Sequence, residues 1–235
     1  MRHIKFLAFA IMLFSSFFIT SCSSSDDSPE VDNGVSTGDY WPLALNNEWN
    51  YTDGVNLTEQ KVIGTDTFGG DLYYKFEAEE LALFGIDVNY WVAKKGGTYY
   101  QKVGEIVISE DGFTMKIKSY ELAVFKDYLD VNETWKNSNS INVTVIVDGE
   151  KPVDFKMNIK STGKILERDG TITVNDQVYN DVIKMSLTQV FSLEGETGTA
   201  ESIYWYAKDV GPVKFSNTID GDTTISELIS YSLNN

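Results

Sequence analysis

Hydrophobic and polar residues alternate through most of the chain. Val153, Phe155, Met157 and Ile159 interleave with Asp154, Lys156, Asn158 and Lys160. An extended segment so patterned has one oily face and one charged face, as a half-buried antiparallel strand does. Ile141, Val143, Val145 and Val147 repeat the pattern just upstream, and the turn residues 148–152 lie between, which predicts a hairpin. The same period runs through Phe113, Met115 and Ile117, through Ile183, Met185 and Leu187, and through Ile225, Ile229, Tyr231 and Leu233. Asp-Gly pairs start at Asp53, Asp111, Asp148, Asp169 and Asp220, each between candidate strands. Both residues tolerate the positive φ of tight hairpin turns, so the pairs predict a meander. Helical signal is weak, with a turn or two offered by 77–84 and by 120–129.

The first residues break this period. Arg2, His3 and Lys5 precede a largely apolar run from Phe6 to Ile19, followed by Thr20, Ser21 and Cys22. That order describes a secretory signal, and a 14-residue run falls short of the ~20 that span a bilayer. Ile19-Thr20-Ser21-Cys22 resembles the lipobox of bacterial lipoproteins. The resemblance implies cleavage after residue 21 and diacylation of Cys22, with the membrane as partner through that anchor. Two acyl chains suffice for stable anchoring at about 0.8 kcal/mol per buried methylene. Ser23-Ser24-Ser25-Asp26-Asp27 resembles the serine-acidic export signal of surface lipoproteins in Bacteroidota. It implies an outer-membrane lipoprotein displayed at the cell surface, with a periplasm-facing position as the alternative. From Ser23 to Gly38 the chain is too polar to offset its ordering entropy. The expected organisation is a signal over 1–21, a lipidated cysteine and tether over 22–38, and one β-rich domain over 39–235.

Charge and composition narrow the function. Lys and Arg number 19 against 35 Asp and Glu; two of the bases and none of the acids precede Cys22, so the mature chain carries −18. Such a field repels phosphate backbones, and no nucleic acid partner is expected. His3 and Cys22 are the only His and Cys, so the mature body lacks Ser-His-Asp and Cys-His machinery and the usual zinc ligands. No phosphate-cradling glycine loop is present, and no cofactor is expected. Asp127 to Glu133 and Asp220 to Asp222 cluster oxygens without the spacing of a calcium loop, so no metal is assigned. Carboxylate chemistry remains, as in a glycosidase-like hydrolase, with Glu79-Glu80 or Glu194 and Glu196 as nominal acids. Solvated charges near turns are the preferred account of them. Arg168 is the one arginine of the mature chain.

All 13 Tyr and 5 Trp lie in the mature chain, many in adjacent pairs. On a strand one member of a pair points inward and the other outward. Tyr90, Trp91, Tyr99, Tyr100, Tyr204 and Tyr206 are therefore the candidate ligand-binding residues, set against plain packing. N-x-T sequons at Asn50, Asn56, Asn132 and Asn142 need no more than Asn and Thr near strand ends. "LALNNEW" (43–49) and "LDVNETW" (129–135) echo one another. They mark either a duplicated half-domain or a recurrent turn-and-strand device, the latter preferred on four matched positions.

"PLALNNEWNY" (42–51) and "WYAKDVGPVK" (205–214) resemble motifs of uncharacterised secreted and lipid-anchored Bacteroidota proteins, with Asn46 where that group has Gly. Asn tolerates the left-handed region, so the turn is preserved. The resemblance implies an all-β fold with minor helix: a strongly curved antiparallel sheet, half-barrel or lipocalin-like barrel. It implies no activity. The expected function is a non-enzymatic, lipid-anchored envelope protein whose curved sheet binds a small apolar ligand, a glycan or an unidentified envelope partner. A carboxylate-dependent hydrolase and a surface scaffold or adhesin are the alternatives.

Overall fold

The computed structural model describes residues 34–81, 86–219 and 221–234. In these, β1 (Glu48–Thr52), β2 (Leu57–Phe68) and β3 (Asp71–Phe76) lead to a short hairpin, β4 (Glu79–Leu81) and β5 (Ile86–Val88). Next come β6 (Tyr90–Lys95), β7 (Thr98–Val103), β8 (Ile106–Glu110), β9 (Phe113–Ile117) and β10 (Tyr120–Lys126). The remainder is six longer strands: β11 (Thr134–Val147), β12 (Val153–Val174), β13 (Gln177–Leu193), β14 (Glu196–Ala207), β15 (Gly211–Ile219) and β16 (Asp222–Ser232). One 14-stranded antiparallel sheet has the order β10-β7-β6-β3-β2-β1-β16-β15-β14-β13-β12-β11-β9-β8, and β4 pairs with β5 separately. The signal, Cys22 and most of the tether lie outside the described residues.

The strongly curved antiparallel sheet expected from the chain is present, and it is not closed into a barrel. Where closure would join β10 to β11, side chains replace a backbone ladder. Trp135 Nε1 and Asn137 Nδ2 donate to Ala123 O at 2.9 and 3.0 Å, and Asn137 Oδ1 accepts from Ala123 N at 3.2 Å. Asn139 Nδ2 donates to Glu121 O at 2.6 Å. An edge strand left with bare N–H and C=O groups is thereby satisfied and covered.

Two local expectations are corrected. The described residues contain no helix: 120–126 is strand β10, and of 77–84 the described part ends in strand β4. Leu122 to Phe125 are all buried, inward against the core and outward under the residues bridging the seam. A strand covered on both faces loses its alternation and reads like a helix. Asp169-Gly170 is no hairpin turn. It lies inside β12, where the register against β13 shifts and Asp169 takes φ 52°, so it is a bulge that bends a 22-residue strand. Asp111-Gly112 and Asp148-Gly149 do turn hairpins, Asp53-Gly54 lies between β1 and β2, and Asp220 is outside the described residues.

The two motifs at the ends of the domain meet in space. Trp49 Nε1 donates to Val210 O at 2.6 Å and the Tyr51 hydroxyl to Pro212 O at 2.8 Å. Between those carbonyls Gly211 has φ 112°, and a Cβ there would lie 2.9 Å from Trp49 Nε1. Asn46 adopts φ 64°, as its place in the turn requires.

The internal echo folds the same way twice. Asn46 N bonds Val62 O, Val62 N bonds Asn47 O, and Asn47 N bonds Ala44 O; Asn132, Ile165, Glu133 and Asp130 repeat that set. Asn132 has φ 72°, and both tryptophans that follow are buried donors to a distant carbonyl. A second echo falls in register with the first: Y-W-x-A-K-x-x-G occurs at Tyr90–Gly97 and at Tyr204–Gly211. Strands β1-β2-β3-β6-β7-β10 form one six-stranded meander and β11 to β16 another. Each echo occupies the first and fourth strand of its meander, which points to a duplicated unit over a mere turn device. The first unit carries two additions, the β4–β5 hairpin and the β8–β9 hairpin, whose β9 crosses the seam to pair with β11.

Both indoles rest on glycine. A Cβ on Gly163 would lie 2.1 Å from the Trp135 ring. Gly163→Ala and Gly211→Ala are each expected to lower the unfolding free energy by about 1–3 kcal/mol, as overpacking does. Gly170→Ala, with ordinary contact at 3.5 Å, is the control and should match wild type in urea unfolding.

Candidate functional site

The segment ahead of β1 lies inside the curve of the sheet. Tyr40 and Trp41 are buried; Trp41 packs on Phe76 at 5.7 Å and on Tyr206 at 5.9 Å between ring centroids, and Tyr40 meets Phe125 edge-on. Phe125 stacks on Tyr206 at 4.3 Å and on Tyr99 at 5.3 Å, and Phe76 stacks on Tyr90 at 5.1 Å. This segment is held by a buried carboxylate. Asp127 is fully buried, and its oxygens accept from Ser36 Oγ at 2.7 Å and Thr37 N at 3.0 Å. Thr37 Oγ1 donates to Asp127 O, and Arg168 Nη1 donates to Asp127 O and Leu129 O at 2.6 and 2.7 Å. Lys94 Nζ donates to Gly38 O at 2.7 Å and stands 3.8 Å from Asp127 Oδ2. Residues 34–38, polar enough to read as tether, are thus bonded into the domain.

A cavity of about 340 Å³ remains at the rim, between this segment and the strand ends of β3 and β6. Trp41, Tyr74, Leu43 and Leu72 give it apolar walls, and Asp39, Asp71, Lys94 and Lys95 give it charged ones. Asp39 lies 3.6 Å from Lys94 Nζ, and Asp71 lies 2.8 Å from Lys95 Nζ. Burial alone would lower the pKa of Lys95, but hydrogen bonds to Asp71 and Tyr73 and the charge of Glu121 raise it above the usual lysine value. The Tyr99 hydroxyl accepts from Tyr40 N at 2.9 Å, and burial with the nearby Asp39 raises its pKa. One polar atom stands out. Among the described residues the indole Nε1 of Trp41 is the buried side-chain N or O with no hydrogen-bond partner. Buried donors are almost always satisfied, so this one is an exception among the described residues.

Of the six aromatics nominated from sequence, three are inside. Tyr90, Tyr99 and Tyr206 are core rings, stacked on Phe76, Phe125 and Phe125 respectively. A ligand contacting them would have to displace the core. Trp91, Tyr100 and Tyr204 are partly exposed. Trp91 and Tyr100 point outward, each beside its inward partner, as alternation requires. Trp91 donates from Nε1 to Asp66 at 2.7 Å, with Lys75 over its ring at 5.6 Å; Lys95 stands over Tyr100 at 4.8 Å. Tyr204 shares the inward face with Tyr206 and stacks on Phe215. Sequence reading missed Trp41, Tyr74, Lys94 and Lys95 as a group, although the pairs Tyr40-Trp41 and Tyr73-Tyr74 were visible.

A second cavity of about 480 Å³ lies at the seam, where β11 leaves β10 for β9, lined by Tyr120, Ile141, Asn139, Lys118 and Lys156 among others. It contains no unpartnered buried atom among the described residues. Burial raises the pKa of the Asp127 carboxyl, and that group is turned into the clasp and lines neither cavity. Glu194 and Glu196 sit at the β13–β14 turn. Among the described residues no three His, Cys, Asp or Glu come together as metal ligands.

No protein-family model matches the chain, and no curated protein matches it. Two solved structures resemble it. One is a candidate lipoprotein from Parabacteroides distasonis, 13% identical with a TM-score of 0.47, the match covering 84% of this chain and 99% of that one. The other is a candidate exported protein with a YmcC-like fold from Bacteroides fragilis, 11% identical with a TM-score of 0.43, covering 82% of this chain and 98% of that one. At those scores the likeness carries nothing further, and function is read from the residues of this chain.

Burial raises the Asp127 pKa, while the bonds from Thr37 and Ser36 and the charges of Lys94 and Arg168 pull it down. With the net shift upward, the folded state holds this proton to higher pH than the unfolded chain. The stability so gained is full below the ordinary carboxylate value and is lost as pH rises through the raised one. The stability of wild type relative to Asp127→Asn is therefore expected to fall in urea unfolding as pH rises above the ordinary carboxylate value. A flat or rising difference would mean that the clasp, not burial, sets the pKa.

Proposed function

We propose that this chain is a non-enzymatic, lipid-anchored protein of the outer membrane, displayed at the cell surface, that holds a small molecule in the rim cavity. The anchor rests on the lipobox-like sequence ending at Cys22. Binding rests on one observation: a cavity of about 340 Å³, open to solvent, is walled both by Trp41, Tyr74, Leu43 and Leu72 and by two lysine–aspartate pairs. The cavity's volume falls in the ~300–1,000 Å³ range of small-molecule sites, and its walls mix apolar surface with a few polar groups as such sites do. Asp39 and Asp71 each face a lysine, an arrangement for holding a ligand more than for moving a proton.

Intact mass of protein extracted from membranes should show the mature chain starting at Cys22 with acyl chains attached. Cys22→Ser should leave the membrane fraction; a variant that still sediments with membranes overturns the anchor. For the cavity, a small-molecule extract of the host envelope should shift the Trp41 indole ¹⁵N–¹H resonance. Those of Trp49 and Trp135, already bonded to carbonyls at 2.6 and 2.9 Å, should stay in place. An unmoved Trp41 resonance would leave a water-filled rim and remove the binding reading.

A further inference from the structure

We infer that the occupant of the rim cavity is a neutral polyhydroxylated ligand, the end of a saccharide, and neither a hydrocarbon nor an acid. This rests on the binding reading above and names the ligand class for that site.

The charges of the wall decide first. In a mature chain of net charge −18 the cavity collects two lysines and two aspartates, and they are matched one to one: Lys94 with Asp39, Lys95 with Asp71. Lys94 is further engaged by Gly38 O and Lys95 by the Tyr73 hydroxyl. An anionic ligand would have to displace carboxylates already seated on both ammonium groups. A cationic ligand would meet the same obstacle in reverse.

Hydrogen bonding decides next. A hydrocarbon would strip water from both ion pairs and offer them no hydrogen bond in return, which is unfavourable. The wall offers ammonium ions that only donate beside carboxylates that only accept. Each hydroxyl of a polyol both donates and accepts, so one ligand satisfies both kinds. The C–H faces of a sugar ring are apolar enough to lie against Trp41, Tyr74 and the leucines, which carry the remaining wall. The cavity is open at the rim, so a chain whose end enters can continue into solvent.

The test titrates the mature domain with N-acetylglucosamine, maltose and cellobiose, and separately with glucuronate and decanoate, reading the Trp41 indole resonance and heat of binding. At least one neutral sugar should shift Trp41 and bind, while glucuronate and decanoate do not. Trp41→Phe, which removes the indole and keeps a smaller aromatic ring, should weaken that binding severalfold through lost stacking area. Asp71→Ala is the second variant; its side chain is 54% exposed, so folding is spared, and it should weaken the same sugar. If decanoate or glucuronate shifts Trp41 and no neutral sugar does, the ligand class is wrong and the cavity reading stands. If none of the five moves Trp41 but an envelope extract does, the saccharide inference falls in the same way. If neither the five nor the extract moves it, the cavity reading falls as well.

Discussion

A curved sheet of twelve strands, counted from β10 round to β11, encloses more space than its own side chains can fill. About eight strands already make an interior that side chains just fill. The chain meets this constraint by laying its own N-terminal segment into the concavity. Tyr40 and Trp41 supply the missing volume and join rings from both halves of the sheet: Phe76 on β3, Phe125 on β10 and Tyr206 on β14. The Asp127 clasp exists to hold that segment, and the rim cavity is the part of the space the segment leaves open. Core, clasp and candidate site are therefore consequences of one packing problem.

The duplicated unit explains how so wide a sheet is specified. Each meander begins with the same Asn turn and a buried tryptophan, and carries an outward tryptophan on its fourth strand. That tryptophan is flanked by lysines on the strands either side: Lys75 and Lys102 about Trp91, Lys184 and Lys214 about Trp205. In the second unit those lysines also reach Glu167 and Glu227, at 2.9 and 2.7 Å. The two junctions between units have diverged. β16 and β1 share a full ladder, whereas β10 and β11 are joined by Trp135, Asn137 and Asn139, with the β8–β9 hairpin carried across the gap.

Strand identity was legible because a half-buried strand writes its two faces as a period of two, as at 141–147 and 153–160. Asn46 was legible because a left-handed turn accepts few residue types. Strand β10 was not: its core-facing residues and those under the seam are both apolar, and no period survives. Asp169-Gly170 looked like a turn because bulges and hairpins demand the same positive φ from the same residues. The candidate site was half legible. Aromatic pairs announced one ring in and one out, but which ring of which pair lines a cavity depends on the wide sheet being plugged by residues far away in sequence. Tyr90, Tyr99 and Tyr206 were taken into the core by that plug, and Trp41 was left at its margin.

Lys94 ties the site to the tether. Its ammonium group is shared between Asp39 in the cavity wall, Asp127 in the clasp and the carbonyl of Gly38, the residue where the polar N-terminal stretch ends. With Cys22 acylated, residues 22 to 34 can extend no further than about 40 Å. The cavity end of the sheet then stays within that distance of the bilayer plus the short clasped run of 34–39. A ligand of the proposed kind that drew on Asp39 would shift the balance of contacts around Lys94, because the cavity wall and the clasp on residues 36–38 share that one charged group.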